Sequence, residues 1–254
     1  MNEKIMINKN VNNLYSFIEI EQKALTKCWI YIILCYYLAF WTLGRIIPKI
    51  PGFKTTALSV YIINLVEVFI SLLFLFVVLR KYIVETVNDI KNDRLKSILK
   101  WIGKGLIIDF VIRIVIAIVM VVLKKHIPEL SIITVNQTTI DKMFKTYRLL
   151  GILLFSILGP IEEELIFRSV IYHSFRKIGK FPAFAVSILL FAGSHVINEL
   201  LSGEFLQALI ASVSYLSMGF VLCYLYEKRR NVIVCIAFHI LINSLGLVMS
   251  FARK

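Results

Sequence analysis

The chain has 254 residues, of which 59% are apolar and only 18% charged, and its mean hydropathy is +0.80. A soluble domain cannot bury that much apolar surface, because a large part of any compact surface stays exposed. A cytosolic enzyme, a disordered chain and a cysteine-dense secreted scaffold are therefore excluded. The net charge of +13 comes largely from short basic runs between apolar stretches, such as Arg80-Lys81, Lys124-Lys125, Arg176-Lys177 and Lys228-Arg229-Arg230. That pattern belongs to loops at an anionic membrane leaflet, not to a nucleic-acid-binding face.

The first 27 residues are polar and of mixed charge, so the start of the chain does not read as a cleavable signal peptide. Beyond them, stretches near the about 20 apolar residues that cross a bilayer fall at 28–47, 58–79, 105–123, 148–175, 182–198, 205–226 and 231–250. The expected fold is an all-α polytopic transmembrane bundle of seven spans. The fourth span carries Gly159-Pro160 and should be kinked or broken there. Between the second and third spans, 82–104 repeats apolar residues at helical spacing but carries Lys91, Arg94, Lys96, Lys100 and Lys104. It reads as an amphipathic helix on the membrane surface instead of an eighth span. Lys and Arg are more numerous in the amino-terminal tail and in the loops after spans two, four and six, which predicts a cytoplasmic amino terminus. Cys28, Cys35, Cys223 and Cys235 lie in or beside apolar stretches and read as small hydrophobes.

Ionisable side chains within a span are costly, so each is a functional candidate. Span three holds Asp109 and Arg113 four residues apart, which reads as a structural pair. Span four holds Glu162-Glu163-Glu164 and, four residues after the last, Arg168. Successive helical residues diverge by about 100°, so the carboxylates cannot share a face. Glu164 can pair with Arg168, whereas Glu163 has no local countercharge and suits a general base. Acids after a proline also suit a helix amino terminus, so the cluster taken alone could be a cap. Span five contributes Phe191, Ser194 and His195. Span seven contributes His239 and Asn243 on one helix face, which could equally join helices. His126 and His173 lie at span ends among basic residues and read as surface groups. Glu163, His195, His239 and Asn243 together supply a base, imidazoles and a neutral donor, enough to activate water and hold an oxyanion. The zinc-peptidase HExxH and serine-hydrolase GxSxG signatures are absent.

These residues resemble the motifs of the CPBP family of CAAX proteases and bacteriocin-processing proteins, also called Abi proteins. EExxxR is matched by Glu163 through Arg168, FxxxH by Phe191 through His195, and HxxxN by His239 through Asn243. The stretch from Met218 to Glu227 resembles the family's glycine-containing helix before the last motif. The likeness covers roughly residues 148–250, which divides the chain into 1–147, a tail with three spans and the amphipathic segment, and 148–254, the catalytic helix core. Ser169 departs from the glycine that many members carry after the arginine. The resemblance implies an intramembrane endopeptidase whose eukaryotic relatives remove the last three residues of prenylated CAAX proteins. It implies that Glu163 and His195 activate water, that His239 and Asn243 bind the oxyanion, and that Glu164 and Arg168 support the helix.

Glu163, His195 and His239 could also ligate zinc, but asparagine is a poor zinc ligand and a good oxyanion donor, which favours chemistry without a cofactor. The Ile-, Lys- and Asn-rich composition points to an AT-rich bacterial genome and a bacterial plasma membrane. The expected partners are the bilayer and a membrane-associated peptide or protein tail, with no nucleic acid. The alternatives are a non-catalytic bacteriocin-immunity protein or membrane scaffold of the same fold, and a small transporter. The transporter is disfavoured because no inverted repeat is visible.

Overall fold

The computed structural model describes residues 17–34, 50, 56–93, 95–127 and 135–252; Cys35 and most of the first predicted span lie outside these residues. Among the described residues every regular element is helical. In chain order they are α1 (Gln22–Tyr31), α2 (Ala57–Val78), α3 (Arg80–Asn92), α4 (Leu95–His126), α5 (Val135–Thr146), a segmented helix α6 over 148–176, α7 (Lys180–His195), α8 (Ile197–Leu201), α9 (Phe205–Arg229) and α10 (Val232–Ala252).

Local chemistry sets several of the ends. Thr56 caps α2 reciprocally with Ser59: its Oγ1 accepts from Ser59 N–H at 3.1 Å and its own N–H donates to Ser59 Oγ at 2.9 Å. Asp93 leaves helical geometry for extended backbone and ends α3. Arg230 closes α9 in the left-handed region at φ 54°, and its N–H returns to the Tyr226 carbonyl. Asn231 then starts α10, its side-chain oxygen accepting from Ile233 N–H at 3.0 Å.

Among the described residues, four helices are long and apolar enough to cross a membrane: Leu58–Val78, Leu95–His126, Phe205–Arg229 and Val232–Met249. They correspond to the second, third, sixth and seventh spans expected from the sequence. The fifth is the shorter α7. The fourth is segmented, with π-helical turns at Ile152–Leu158 and Leu165–Tyr172 on either side of an α-helical turn, Gly159–Glu164. Pro160 accounts for the first widening: its ring would clash with the carbonyl four residues back, and a π turn moves that carbonyl away. The amphipathic segment 82–104 divides at Asp93. Its first half is α3, while Lys96, Lys100 and Lys104 belong to the 32-residue α4. At about 1.5 Å per residue that helix outreaches a hydrocarbon core of about 30 Å, so its basic first turns extend beyond the span.

The core lies where α6, α7, α9 and α10 meet, around Phe167, Phe191, Val221, Leu222, Tyr226 and Phe238, all buried. The π turn Leu165–Tyr172 is buried along its whole length, so α6 is the central helix of the bundle. α4 packs against α9 and α10 through Gly105, where an added Cβ would lie 2.8 Å from the Phe238 ring. Its opposite face leaves Ile107, Phe110, Val111, Ile118 and Val121 exposed, as expected of a surface that faces lipid.

Candidate active site

The three consecutive glutamates of α6 take three directions. Glu162 is buried beside Ser71 and Glu67 of α2. Glu164 is fully buried and accepts from Arg168 Nη1 at 3.0 Å and from His239 Nδ1 at 2.9 Å, both on Oε1. Glu163 lies between the two histidines: its Oε1 is 3.8 Å from His195 Nε2 and its Oε2 is 3.7 Å from His239 Nε2. The α turn between the π turns thus offers one carboxylate to an arginine and the next to a pair of imidazoles.

Hydrogen bonds fix how the imidazoles face Glu163. His195 Nδ1 is 2.8 Å from the Phe191 carbonyl, which can only accept, so Nδ1 carries the hydrogen. In the neutral ring the Nε2 lone pair then points at Glu163. His239 Nδ1 is assigned its hydrogen in the same way by the Glu164 carboxylate, and its Nε2 also faces Glu163. The Phe191 ring adds apolar walls: its centroid is 4.7 Å from that of His195 and 6.0 Å from that of His239, and the Arg168 guanidinium lies 4.7 Å over its face. Arg168 is fully buried and also donates to the Gly219 carbonyl at 3.4 Å.

Asn243 lies one helical turn after His239, and its Nδ2 donates to the Phe155 carbonyl at 3.0 Å. The amide keeps a second hydrogen free of that bond. Glu163, His195 and His239 therefore converge, while Asn243, one turn beyond His239, has one hydrogen engaged by α6. Asp109 and Arg113 form an ion pair at 2.6 Å on α4. His126 is exposed at the end of α4. His173, expected at the surface, is instead buried with the Phe17 ring edge-on against it at 6.0 Å. The folding back of residue 17 over the end of α6 leaves no mark in the spacing of His173.

One contributor carried no signal of its own in the sequence. The Tyr215 ring stacks on His195 with centroids 4.3 Å apart and planes at 27°. Ser169, in place of the glycine of many family members, donates its hydroxyl to Tyr82 of α3 at 3.2 Å, and Tyr82 meets Tyr226 at 3.1 Å. The serine is thus satisfied by a surface helix and leaves the Glu163 region untouched. Gly219 sits in the stretch that the sequence marked as a glycine-containing helix. It brings α9 against Ile188 and Phe191 of α7 and presents its carbonyl to Arg168.

Glu163, His195 and His239 are also the natural metal donors. Among the described residues no three His, Cys, Asp or Glu side chains close to metal-holding spacing. The separations of 3.8 and 3.7 Å exceed the about 3.3 Å between neighbouring ligands of a tetrahedral zinc ion.

The family model described as type II CAAX prenyl endopeptidase Rce1-like matches residues 145–245. The UPF0177 protein YvdC of Lactococcus lactis is 26% identical over 91% of this chain and 85% of its own length. The UPF0177 protein YxdF of the same organism is 30% identical over 63% of this chain and 80% of its own length. A Bacillus subtilis protein named "Putative membrane peptidase YdiL" is 31% identical over 39% of this chain and 37% of its own length. No solved structure matches the chain.

Proposed function

Because the chain belongs to the Rce1-like CPBP family of membrane proteins, we propose that it is an intramembrane endopeptidase acting on membrane-associated peptides or protein tails. The observation that carries this reading is the placement of one carboxylate between two imidazole nitrogens, at 3.8 and 3.7 Å, inside an apolar bundle. The Glu163 carboxylate takes a proton from a water held against His195 Nε2. The hydroxide oxygen attacks the scissile carbonyl, and the carbonyl's π electrons move onto its oxygen. His239 Nε2, protonated while Glu164 holds Nδ1–H, and the second Asn243 hydrogen donate to that oxyanion. Collapse breaks the C–N bond, and the proton on Glu163 passes to the amine that leaves. Glu164 and Arg168 neutralise each other and hold His239 in orientation. The substrate reaches the site from the bilayer, at a bacterial plasma membrane with the amino terminus in the cytoplasm. No metal is needed for these steps.

The test is mass spectrometry of membrane peptides incubated with the purified protein, with and without a strong chelator. New peptide termini should form at equal rates in both samples. Loss of cleavage with chelator and its return with zinc would move Glu163, His195 and His239 into a metal-ligand role. No cleavage of any membrane peptide would favour a non-catalytic immunity or scaffold protein.

A further inference from the structure

The Phe155 carbonyl stands at the joint between the first π turn of α6 and the α turn that bears Glu163. There the Gly159 N–H bonds to the Leu154 carbonyl, five residues back. The next rung of that ladder would run from residue 160 to Phe155, but residue 160 is proline and has no N–H. An α-helical rung to Phe155 would need the Gly159 N–H, which is engaged by Leu154. The approach that engages it is close: a Cβ at position 159 would lie 3.1 Å from the Leu154 oxygen. The Phe155 carbonyl is thus left without a backbone donor inside an apolar bundle, where an unpaired carbonyl is costly. The missing donor comes from another helix, as Asn243 Nδ2 of α10 at 3.0 Å.

We infer that Asn243 is a positioning residue that replaces the backbone donor removed by Pro160, and that this bond fixes the Glu163 turn of α6 against the helix that carries His239. The role goes beyond oxyanion binding and is compatible with it, because it uses one amide hydrogen and leaves the other. It is read through stability, so it can stand or fall independently of proteolysis.

A double-substitution cycle on the full-length protein in detergent or nanodiscs tests the inference. Pro160→Ala restores a backbone donor to Phe155 in either register. If the π turn persists, the alanine N–H reaches Phe155; if the turn reverts to α-helix, the Gly159 N–H does. Asn243→Ala should lower the melting midpoint by about 2–8 °C in the Pro160 chain and by nearly nothing in the Pro160→Ala chain. An equal loss in both chains, or no loss in the Pro160 chain, would overturn the inference, because ordinary interhelical packing by Asn243 does not depend on a donor at position 160. Should Pro160→Ala not fold, Asn243→Asp gives a second reading. Only the protonated carboxyl can donate to Phe155, so the deficit of this variant relative to wild type should shrink as pH falls. A deficit independent of pH would be contrary to the inference.

Discussion

Adjacent glutamates in one helix have opposite surroundings, and this separates their substitution phenotypes. Glu164 is fully buried and joins Arg168 to His239 through one oxygen. Removing its charge strands a fully buried guanidinium, a change that costs about 3–5 kcal/mol. Glu164→Gln should therefore lower both yield and melting midpoint, measurable by fluorescence-detected size exclusion and thermal unfolding. The distinction was legible from spacing alone, since only Glu164 lies one helical turn from Arg168. The histidines and Asn243 were legible as polar groups that an apolar span cannot leave facing lipid. The bond from Asn243 to Phe155 was not, because its acceptor is a backbone carbonyl and any residue could supply one. Pro160 was the one mark of it in the sequence, and proline states that a donor is missing without saying what replaces it. Tyr215 was equally hidden, for an aromatic in an apolar helix looks the same whether it faces lipid or stacks on His195.

The helices position the site through a few close approaches. The π turns of α6 could not be read from hydropathy, because π and α turns are equally apolar; Gly159-Pro160 marked only that the helix would deviate. The division of 82–104 into α3 and the start of α4 was hidden by an amphipathic pattern that continues through the break at Asp93. α4 then supports α10 at Gly105, where a methyl group would stand 2.8 Å from the Phe238 ring and 3.0 Å from Leu225. Phe238 is fully buried and directly precedes His239, so the ring cannot swing aside without moving the site. Gly105→Ala should destabilise by about 1–3 kcal/mol. It should also slow turnover of the folded fraction, measured by thermal unfolding and cleavage on one preparation. Wild-type values for both would mean that the α4–α10 contact does not hold His239.

At the scale of the whole molecule, one set of polar contacts between the described helices gathers at one end of the bundle. Lys81 pairs with Glu21, Lys177 with Gln22, Arg176 with Glu227, Arg229 with Asp93, and Asn231 with Asp89. These join α1, α3 and the ends of α6 and α9 at the loops that the basic-residue count assigns to the cytoplasm. Cysteines placed at Lys177 and at Lys125 should therefore label oppositely in intact cells. A membrane-impermeant thiol reagent should reach Lys125→Cys directly and Lys177→Cys only after permeabilisation, against an unsubstituted control. The reverse pattern would invert the topology and leave the bundle itself unchanged.

Glu163, held between His195 and His239, is proposed as the base that activates water. Its side chain is partly exposed, and the buried Arg168 pairs with Glu164 instead. The most direct measurement is the cleavage rate of a membrane peptide by purified Glu163→Gln protein, with its melting midpoint recorded on the same sample. The midpoint should stay near wild type and the rate should fall by at least about 10²-fold, the lower bound for loss of a general base. A folded Glu163→Gln protein that cleaves at the wild-type rate would contradict this role.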